Sequence, residues 1–226
     1  MNNQDKTPEG ITPNLPLWSY QIQQNSKLSV KTRKDLEIHL ITRALKDEVF
    51  REELVANPKA VVEKEIGAKL PGELEIKVLE ETEDTLYMVL PCNPYEGISE
   101  EKLKASVGVN YEDVAQWVLE QQRNTLLDEK SSVRLIVLSW KDKLFKQKFM
   151  SNPFQVIEQE LGQNVQQYLQ GIQPIVLAET TNTYFIVLPN VLMLSEQLTS
   201  VNTDINMPMV IGASTSLRLS CVICGK

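Results

Sequence analysis

The chain has 226 residues, of which 42% are hydrophobic and 23% are charged, a composition typical of a soluble globular protein with one or two domains. Its formal net charge of −7 argues against nucleic-acid binding, because affinity for the phosphate backbone comes largely from surplus lysine and arginine. The three cysteines do not suggest a disulfide framework, and the sequence shows neither a secretory signal nor an apolar run long enough to span a bilayer, so we expect a cytoplasmic protein without membrane insertion.

Residues 1–33 are rich in Pro, Asn and Gln and are predicted to form a loose N-terminal arm. Asn57 and Pro58 predict the N-cap and first position of a short second helix, which Gly67 ends in the left-handed conformation. The first helix lies between the N-terminal arm and this second helix. It is amphipathic, since apolar residues recur at helical spacing in Leu36, Leu40, Ile41, Ala44, Leu45 and Val49.

Two strands are predicted after the helices. Leu74, Ile76 and Val78 alternate with charged residues, which is the period of a half-buried strand. Residues 85–90 form a second apolar strand that Pro91 stops.

The segment between these strands is strongly acidic, and Glu83 and Asp84 are the predicted turn. Together with Glu80 and Glu81 they form a cluster of carboxylates. Such a cluster is typical of a solvated rim, and it would also suit a basic groove on a partner enzyme.

A predominantly helical stretch follows the strands. Residues 99–107 and 111–122 both have helical periodicity, and Val114, Trp117 and Val118 fall on one face of the latter. This pattern predicts a packed connector instead of a floppy linker.

An internal repeat dominates the organisation of the chain. Residues of the first half match residues 95 positions later, and after a three-residue insertion before the strands the offset becomes 98. The matched pairs include Leu40/Leu135, Ile41/Ile136, Asp47/Asp142, Phe50/Phe145, Asn57/Asn152, Pro58/Pro153, Gly67/Gly162, Val78/Val176, Glu81/Glu179, Thr85/Thr183 and Pro91/Pro189. The sequence therefore predicts an α+β protein with two tandem copies of a helix-helix-strand-strand unit.

The repeat suggests a first domain at 34–108, a helical connector at 109–130, a second domain at 131–202 and a flexible tail at 203–226. The second copy's strand 184–188 is continuously apolar and is expected to be more buried than its first-copy equivalent. A lone helix pair on a two-stranded sheet buries little surface, so we expect the two copies to pair within the chain or the chain to form a homodimer.

Residue types that build active sites are sparse. Cys92 is a single thiol and is more typical of a small buried side chain than of a metal ligand, while Cys221 and Cys224 form a CxxC pair without the second ligand pair of a zinc site. His39 is the only histidine and is expected at a helix surface or boundary. We therefore expect no catalytic, metal-binding or cofactor-binding residues.

The aromatic residues are interpreted as packing residues. Trp18, Trp117 and Trp140 are more typical of packing than of ligand platforms. Phe50 and Phe145 occur at equivalent positions of the repeat and are core candidates.

Several motifs together resemble a known family. A helix precedes Asn57-Pro58 and Gly67, an acidic strand and a Thr-led strand end at Leu90-Pro91-Cys92-Asn93-Pro94, and Ile98-Ser99-Glu100-Glu101-Lys102-Leu103 follows. This order resembles the nitrile-hydratase-like leader peptides of the proteusin precursors, from which ribosomally made, modified peptides are produced. The resemblance is best over Leu36 to Val107 and looser over Leu135 to Val201.

The resemblance implies a substrate role. A folded leader of this family docks on a peptide-modifying enzyme, such as a lanthionine synthetase or another maturase, and a peptidase-exporter releases the C-terminal core for export. Gly212 and Ala213 resemble the small-residue cleavage site, so residues 214–226 are the candidate core. The candidate modified residues are Ser214, Thr215, Ser216, Ser220, Cys221 and Cys224.

Other functions also fit the residues. A stand-alone interaction module would keep the leader fold without a usable core, and a Ser/Thr-rich terminus is often simply a disordered tail. A subunit of a hydratase-type metalloenzyme is the third alternative, although Cys92 lacks a second thiol beside it.

Overall fold

The computed structural model describes residues 32–120, 127–162, 169 and 171–190. The first unit contains α1 (Arg33–Lys46), α2 (Glu48–Ala56), α3 (Pro58–Ile66), β1 (Glu75–Glu80) and β2 (Thr85–Leu90). The connecting helices are α4 (Glu100–Val107) and α5 (Tyr111–Glu120). The second unit repeats the order of the first with α6 (Glu129–Lys141), α7 (Lys143–Ser151), α8 (Pro153–Leu161), β3 (Gln173–Ala178) and β4 (Thr183–Leu188).

The predicted first helix is in fact two helices in each unit. Asp47 is extended, ends α1 and caps α2 by accepting a hydrogen bond from the backbone N–H of Phe50 at 3.1 Å. Asp142 does the same between α6 and α7. The interpretation of Leu45 and Val49 as part of the buried stripe is therefore wrong, because the break turns them outward and Val49 is 74% exposed.

The third helix of each unit begins and ends largely as the sequence predicts. Pro58 and Pro153 occupy the first turn, where a missing N–H leaves no bond unmade. Gly67 follows α3 with φ 72°, the left-handed conformation that glycine adopts without steric penalty. Asn57 precedes α3 as expected, but its side chain makes no capping hydrogen bond.

The strands of the two units pair with each other. β1 lies parallel to β4 with Glu75 opposite Thr183, and β2 lies parallel to β3 with Thr85 opposite Gln173. The predicted turn at Glu83 leads from one two-stranded sheet into the other instead of closing a hairpin. The expectation that each unit has a two-stranded sheet of its own is therefore wrong.

This exchange divides the hydrophobic core into two clusters. The first core contains α1, α2 and α3 together with β1 and β4, so Tyr184, Ile186 and Leu188 pack against helices of the other unit. The second core contains the helices of the second unit, residues of α4 and α5, and both Met88 and Leu90 from β2. Each core is completed by one strand from the other unit, which is the intramolecular pairing of the units that the sequence suggested.

The connecting helices also pack as expected. Tyr111, Val114 and Leu119 of α5 are buried in the second core, and α5 contacts α6. β4 has four buried residues and β2 has two, which confirms that β4 is the more buried strand. In the part of the chain described, no helix is both long and apolar enough to cross a membrane.

Candidate functional site

A buried polar network joins the two units at the start of α1. The guanidinium of Arg33 donates two hydrogen bonds to the carboxylate of Glu179, at 2.7 and 2.8 Å, and a third to Glu37 at 2.8 Å. The hydroxyl of Tyr184 donates to the same oxygen of Glu37 at 3.0 Å. The Arg33 guanidinium carbon also lies 4.4 Å from the centre of the Tyr184 ring, a cation–π distance.

The location of each residue follows from local structure. Thr32 and Asp35 form a capping box that starts α1 and places Arg33 in the first turn. Glu179 follows β3 directly, and its carboxylate also accepts the backbone N–H of Phe185 at 3.1 Å. The network therefore spans 146 residues of sequence and fixes β4 against α1.

The electrostatics of this network are those of buried groups that stabilise one another. Burial opposes the charge on Arg33, but the attraction of Glu179 and Glu37 outweighs it and raises its pKa. Burial raises the pKa of Glu179, and the charge of Arg33 offsets only part of that effect. The pKa of Tyr184 is raised by burial and by the neighbouring charge of Glu37, so its hydroxyl stays protonated and acts as a donor.

Cys92 lies just beyond β2 and is half-buried. Burial, assisted by the charge of Glu179, raises the pKa of its thiol to about 11. Because the thiolate is the nucleophile and the metal ligand, this cysteine is poorly suited to either role at neutral pH. No group of three or more His, Cys, Asp or Glu side chains in the described residues is arranged to hold a metal ion.

Glu81 occupies the place of Glu179 at the other strand junction. Its backbone N–H donates to the carbonyl of Leu188, and its carboxylate accepts the N–H of Tyr87 at 3.3 Å. Glu81 is only 8% exposed, so its assignment to a solvated rim is wrong. The two glutamates share a structural role that the repeated Glu-Thr pair in the sequence could have indicated.

His39 lies in the middle of α1 and is half-buried, at the boundary between its buried and exposed faces, as expected. Its Nε2 is 2.8 Å from the carboxylate of Glu65 on α3, which also accepts a hydrogen bond from Arg43. Arg134 and Glu160 make the corresponding contact between α6 and α8 at 3.2 Å. The histidine therefore joins two helices, as its counterpart Arg134 does.

The aromatic predictions have mixed outcomes. Trp140 packs edge-to-face against Tyr111 and donates its indole N–H to the carbonyl of Pro91 at 2.9 Å. Phe50 is buried and Phe145 is half-buried against the second core. Trp117 is 43% exposed, so its interpretation as a packing residue is wrong. Trp18 lies outside the described residues.

A shallow groove of about 510 Å³ runs along the first unit, between the start of α3 and β1. The ammonium of Lys59, on α3, donates hydrogen bonds to the carbonyls of Pro71 and Gly72, just before β1, and so connects the two sides of the groove. The carboxylates of Glu73 and Glu75 are exposed at its rim. Glu75 lies 3.3 Å from the ammonium of Lys77, but both side chains are about half exposed, so this ion pair is weak and the two carboxylates leave the rim suited to contact with a basic surface.

The residues predicted for cleavage and modification cannot be located in the structure. Gly212, Ala213 and the candidate modified residues of the tail all lie outside the described residues. Their roles therefore remain predictions from the sequence.

Comparison with known proteins supports the motif-based interpretation. Residues 42–114, which run from α1 into α5, match the family model described as nitrile hydratase, alpha chain. Polytheonamide B from Bacterium symbiont subsp. Theonella swinhoei (strain pTSMAC1) is 35% identical over 77 residues, which are 32% of this chain and 52% of that protein. The resemblance to the nitrile-hydratase-like leaders of the proteusin family is confirmed.

The matches cover part of this chain and part of its relative. The chain spans about half the length of the polytheonamide B protein that it matches, at 52%. The segment matched by the family model, which we call the leader-like segment, includes α2, α3, both strands of the first unit and α4.

Proposed function

We propose that this chain is the precursor of a ribosomally made, post-translationally modified peptide. Two observations together carry the proposal: the leader-like segment matches the nitrile hydratase alpha chain model, and 77 residues of the chain are similar to polytheonamide B. In this proposal the folded units dock on a cytoplasmic modification enzyme, and residues 214–226 are its substrate.

The chemistry of the described residues fits a protein that is acted upon. The buried polar network contains charged side chains, but their groups bind one another in the interior. Its members are Arg33, Glu37, Glu179 and Tyr184. Cys92 is held as a thiol by its burial. A docking protein needs a stable surface, and this network stabilises one.

The groove beside β1 is the proposed contact for the modification enzyme. It lies within the leader-like segment, and the exposed Glu73 and Glu75 would attract a basic surface. In the second unit Gly171 and Gln173 stand at the corresponding positions, so the acidic rim belongs to the first unit alone. This difference supports the assignment of enzyme recognition to the first unit.

The tail carries residue types that a maturase uses. Dehydration of Ser or Thr removes one water and leaves an alkene, to which a cysteine thiol can add to close a thioether ring. Ser214, Thr215, Ser216 and Ser220 lie close in sequence to Cys221 and Cys224, and short loops close at little entropic cost. A peptidase-exporter would then cut after Ala213 and export the product.

The experiment is co-expression of the full chain with maturases encoded beside its gene, followed by mass spectrometry of the tail. We expect losses of water at one or more of the four Ser and Thr positions. A tail left unchanged by every such maturase would overturn the precursor proposal and favour a stand-alone docking module. Stoichiometric cobalt or iron in the purified protein would favour a hydratase-type subunit instead.

A matched pair of variants tests the docking surface. Glu75→Lys, in the first-unit groove, should reduce tail modification and weaken binding to the maturase. Gln173→Lys, which places a lysine at the equivalent position of the second unit, should leave both unchanged. Equal effects of the two variants would contradict recognition through the first unit.

A further inference from the structure

Helices α2 and α7 occupy equivalent places in the two units, and both expose apolar side chains. Val49 and Val55 on α2 are 74% and 39% exposed. Leu144 and Met150, which follow 95 residues later, are 75% and 39% exposed. Scattered exposed apolar residues are ordinary, but the same two positions exposed in both units define a repeated surface.

The charges on these two helices differ in sign, although the apolar positions are kept. Two glutamates of α2 are replaced by lysines in α7, and a third glutamate is replaced by glutamine. The equivalent pairs are Glu48/Lys143, Glu53/Lys148 and Glu52/Gln147. All six of these side chains are exposed. One helix is thus acidic where the other is basic.

On each helix these positions form one continuous face. At 100° per residue they fall within an arc of about 160°, on the side away from the buried Leu54 of α2 and the buried Phe149 of α7. The acidic face comprises Glu48, Val49, Glu52, Glu53 and Val55. The basic face comprises Lys143, Leu144, Gln147, Lys148 and Met150.

The charges of both faces are largely available for a partner. Glu53 is 4.0 Å from Lys64, and both side chains are mostly solvated, so this ion pair is weak. Within the described ranges, no carboxylate lies within 4.0 Å of Lys143 or Lys148. Among the described residues, the ammonium of Lys148 donates a hydrogen bond to the neutral amide oxygen of Gln159.

We propose that the acidic face of one chain binds the basic face of a second copy of the same chain. Charge complementarity is the first reason, since each chain carries both halves of the contact. The second is fit, because the larger Leu144 and Met150 would meet the smaller Val49 and Val55. The net charge of −7 makes the copies repel at long range, so a basic face is the local feature that allows them to associate.

The test is sedimentation of the full chain over a range of concentrations, at low and high ionic strength. The wild-type chain should associate as its concentration rises, and high salt should weaken the association. The variant Glu48→Lys/Glu53→Lys has two basic faces, and the variant Lys143→Glu/Lys148→Glu has two acidic faces. Each alone should associate at least roughly tenfold more weakly than the wild type.

Mixing the two variants provides the decisive measurement. The mixture pairs a basic α2 with an acidic α7 and should regain association that neither variant shows alone. Unchanged circular dichroism and melting temperature would show that each variant is folded. A wild-type chain that stays monomeric at the highest concentration, or a mixture that does not recover, would overturn the proposal. The measurement needs no maturase, so its result is independent of the precursor proposal.

Discussion

Replacement of Arg33 by methionine tests whether the network between the units holds the fold together. The substitution keeps an unbranched side chain but leaves the carboxylates of Glu37 and Glu179 buried at 5% exposure each without their guanidinium partner. Removing one partner of a buried ion pair typically costs about 3–5 kcal/mol. Since a domain is stable by only about 5–15 kcal/mol, Arg33→Met should remove a large part of the free energy of unfolding.

The assay is urea unfolding followed by circular dichroism and tryptophan fluorescence. The control is Arg51→Met, because Arg51 makes a similar 2.6 Å contact with Glu80 but both side chains are 31–39% exposed. Its effect should be below about 1 kcal/mol. The double variant Arg33→Met/Glu179→Met should recover part of the loss, because it removes the buried charge of Glu179 together with its partner, while Glu37 keeps only its hydrogen bond from Tyr184.

The stability lost in Arg33→Met should depend on pH in a defined direction. Burial already raises the pKa of Glu179, and in Arg33→Met this carboxylate binds a proton more tightly in the folded than in the unfolded chain, so lowering the pH from 8 towards that raised pKa should reduce the loss of stability. A loss no larger than that of Arg51→Met, or one that grows as the pH falls through this range, would refute the structural role of the network.

Four other predictions follow from the described residues. A fragment of residues 32–120 lacks β3 and β4, the partners of β1 and β2, so size-exclusion chromatography should show a strand-paired dimer or an unfolded chain. A folded monomer as stable as the full protein would contradict the strand exchange. Gly67→Ala should cost about 1–2 kcal/mol because φ is 72° there, whereas Gly72→Ala, which meets nothing within 4 Å, should be nearly neutral in the same denaturation assay. In a Cys221→Ser/Cys224→Ser background, iodoacetamide should alkylate Cys92 about 100-fold more slowly at pH 8 than in the denatured chain, since its pKa is raised to about 11; equal rates would exclude that shift. Hydrogen bonds from Lys69 and Lys141 lower the pKa values of Glu63 and Glu100, so the two carboxylates stabilise the fold above pH 4.5 and this stabilisation is lost as the pH falls. Glu63→Gln should therefore make the stability depend less steeply on pH in the acid range. An unchanged pH dependence would refute this role of Glu63.

The parts of the fold that the sequence predicts well are those fixed by local chemistry. Pro58 and Gly67 delimit α3 because proline suits a first helical turn and glycine suits a left-handed cap. The break at Asp47 is hidden in the sequence because apolar residues continue at helical spacing across it, in Leu45 and Val49. Only the capping bond of Asp47 to the next helix reveals that the chain turns there.

The partner of each strand could not be predicted, because pairing depends on residues far apart in sequence. β2 and β4 have similar apolar patterns, so periodicity alone does not show which core each one completes. The sequence predicts Arg33 at the end of a loose arm, whereas in the structure it lies in the first turn of α1. Its partner Glu179 lies 146 residues away, and no local pattern connects them.

The network also distinguishes the two similar strands. Leu86 of β2 stands at the position of Tyr184 in β4, and Ser132 and Asp128 of the second unit stand at the positions of Glu37 and Arg33. If β2 completed the first core in place of β4, Leu86 would meet Glu37 without a hydroxyl to donate, and the carboxylate would lose that hydrogen bond. The hydrogen bond from Tyr184 to Glu37 is therefore made only when β4 crosses to the first unit, whereas a glutamate follows both β1 and β3 and does not distinguish the strands. Buried polar groups here act on the choice of strand partner, for which the apolar residues of β2 and β4 are nearly equivalent.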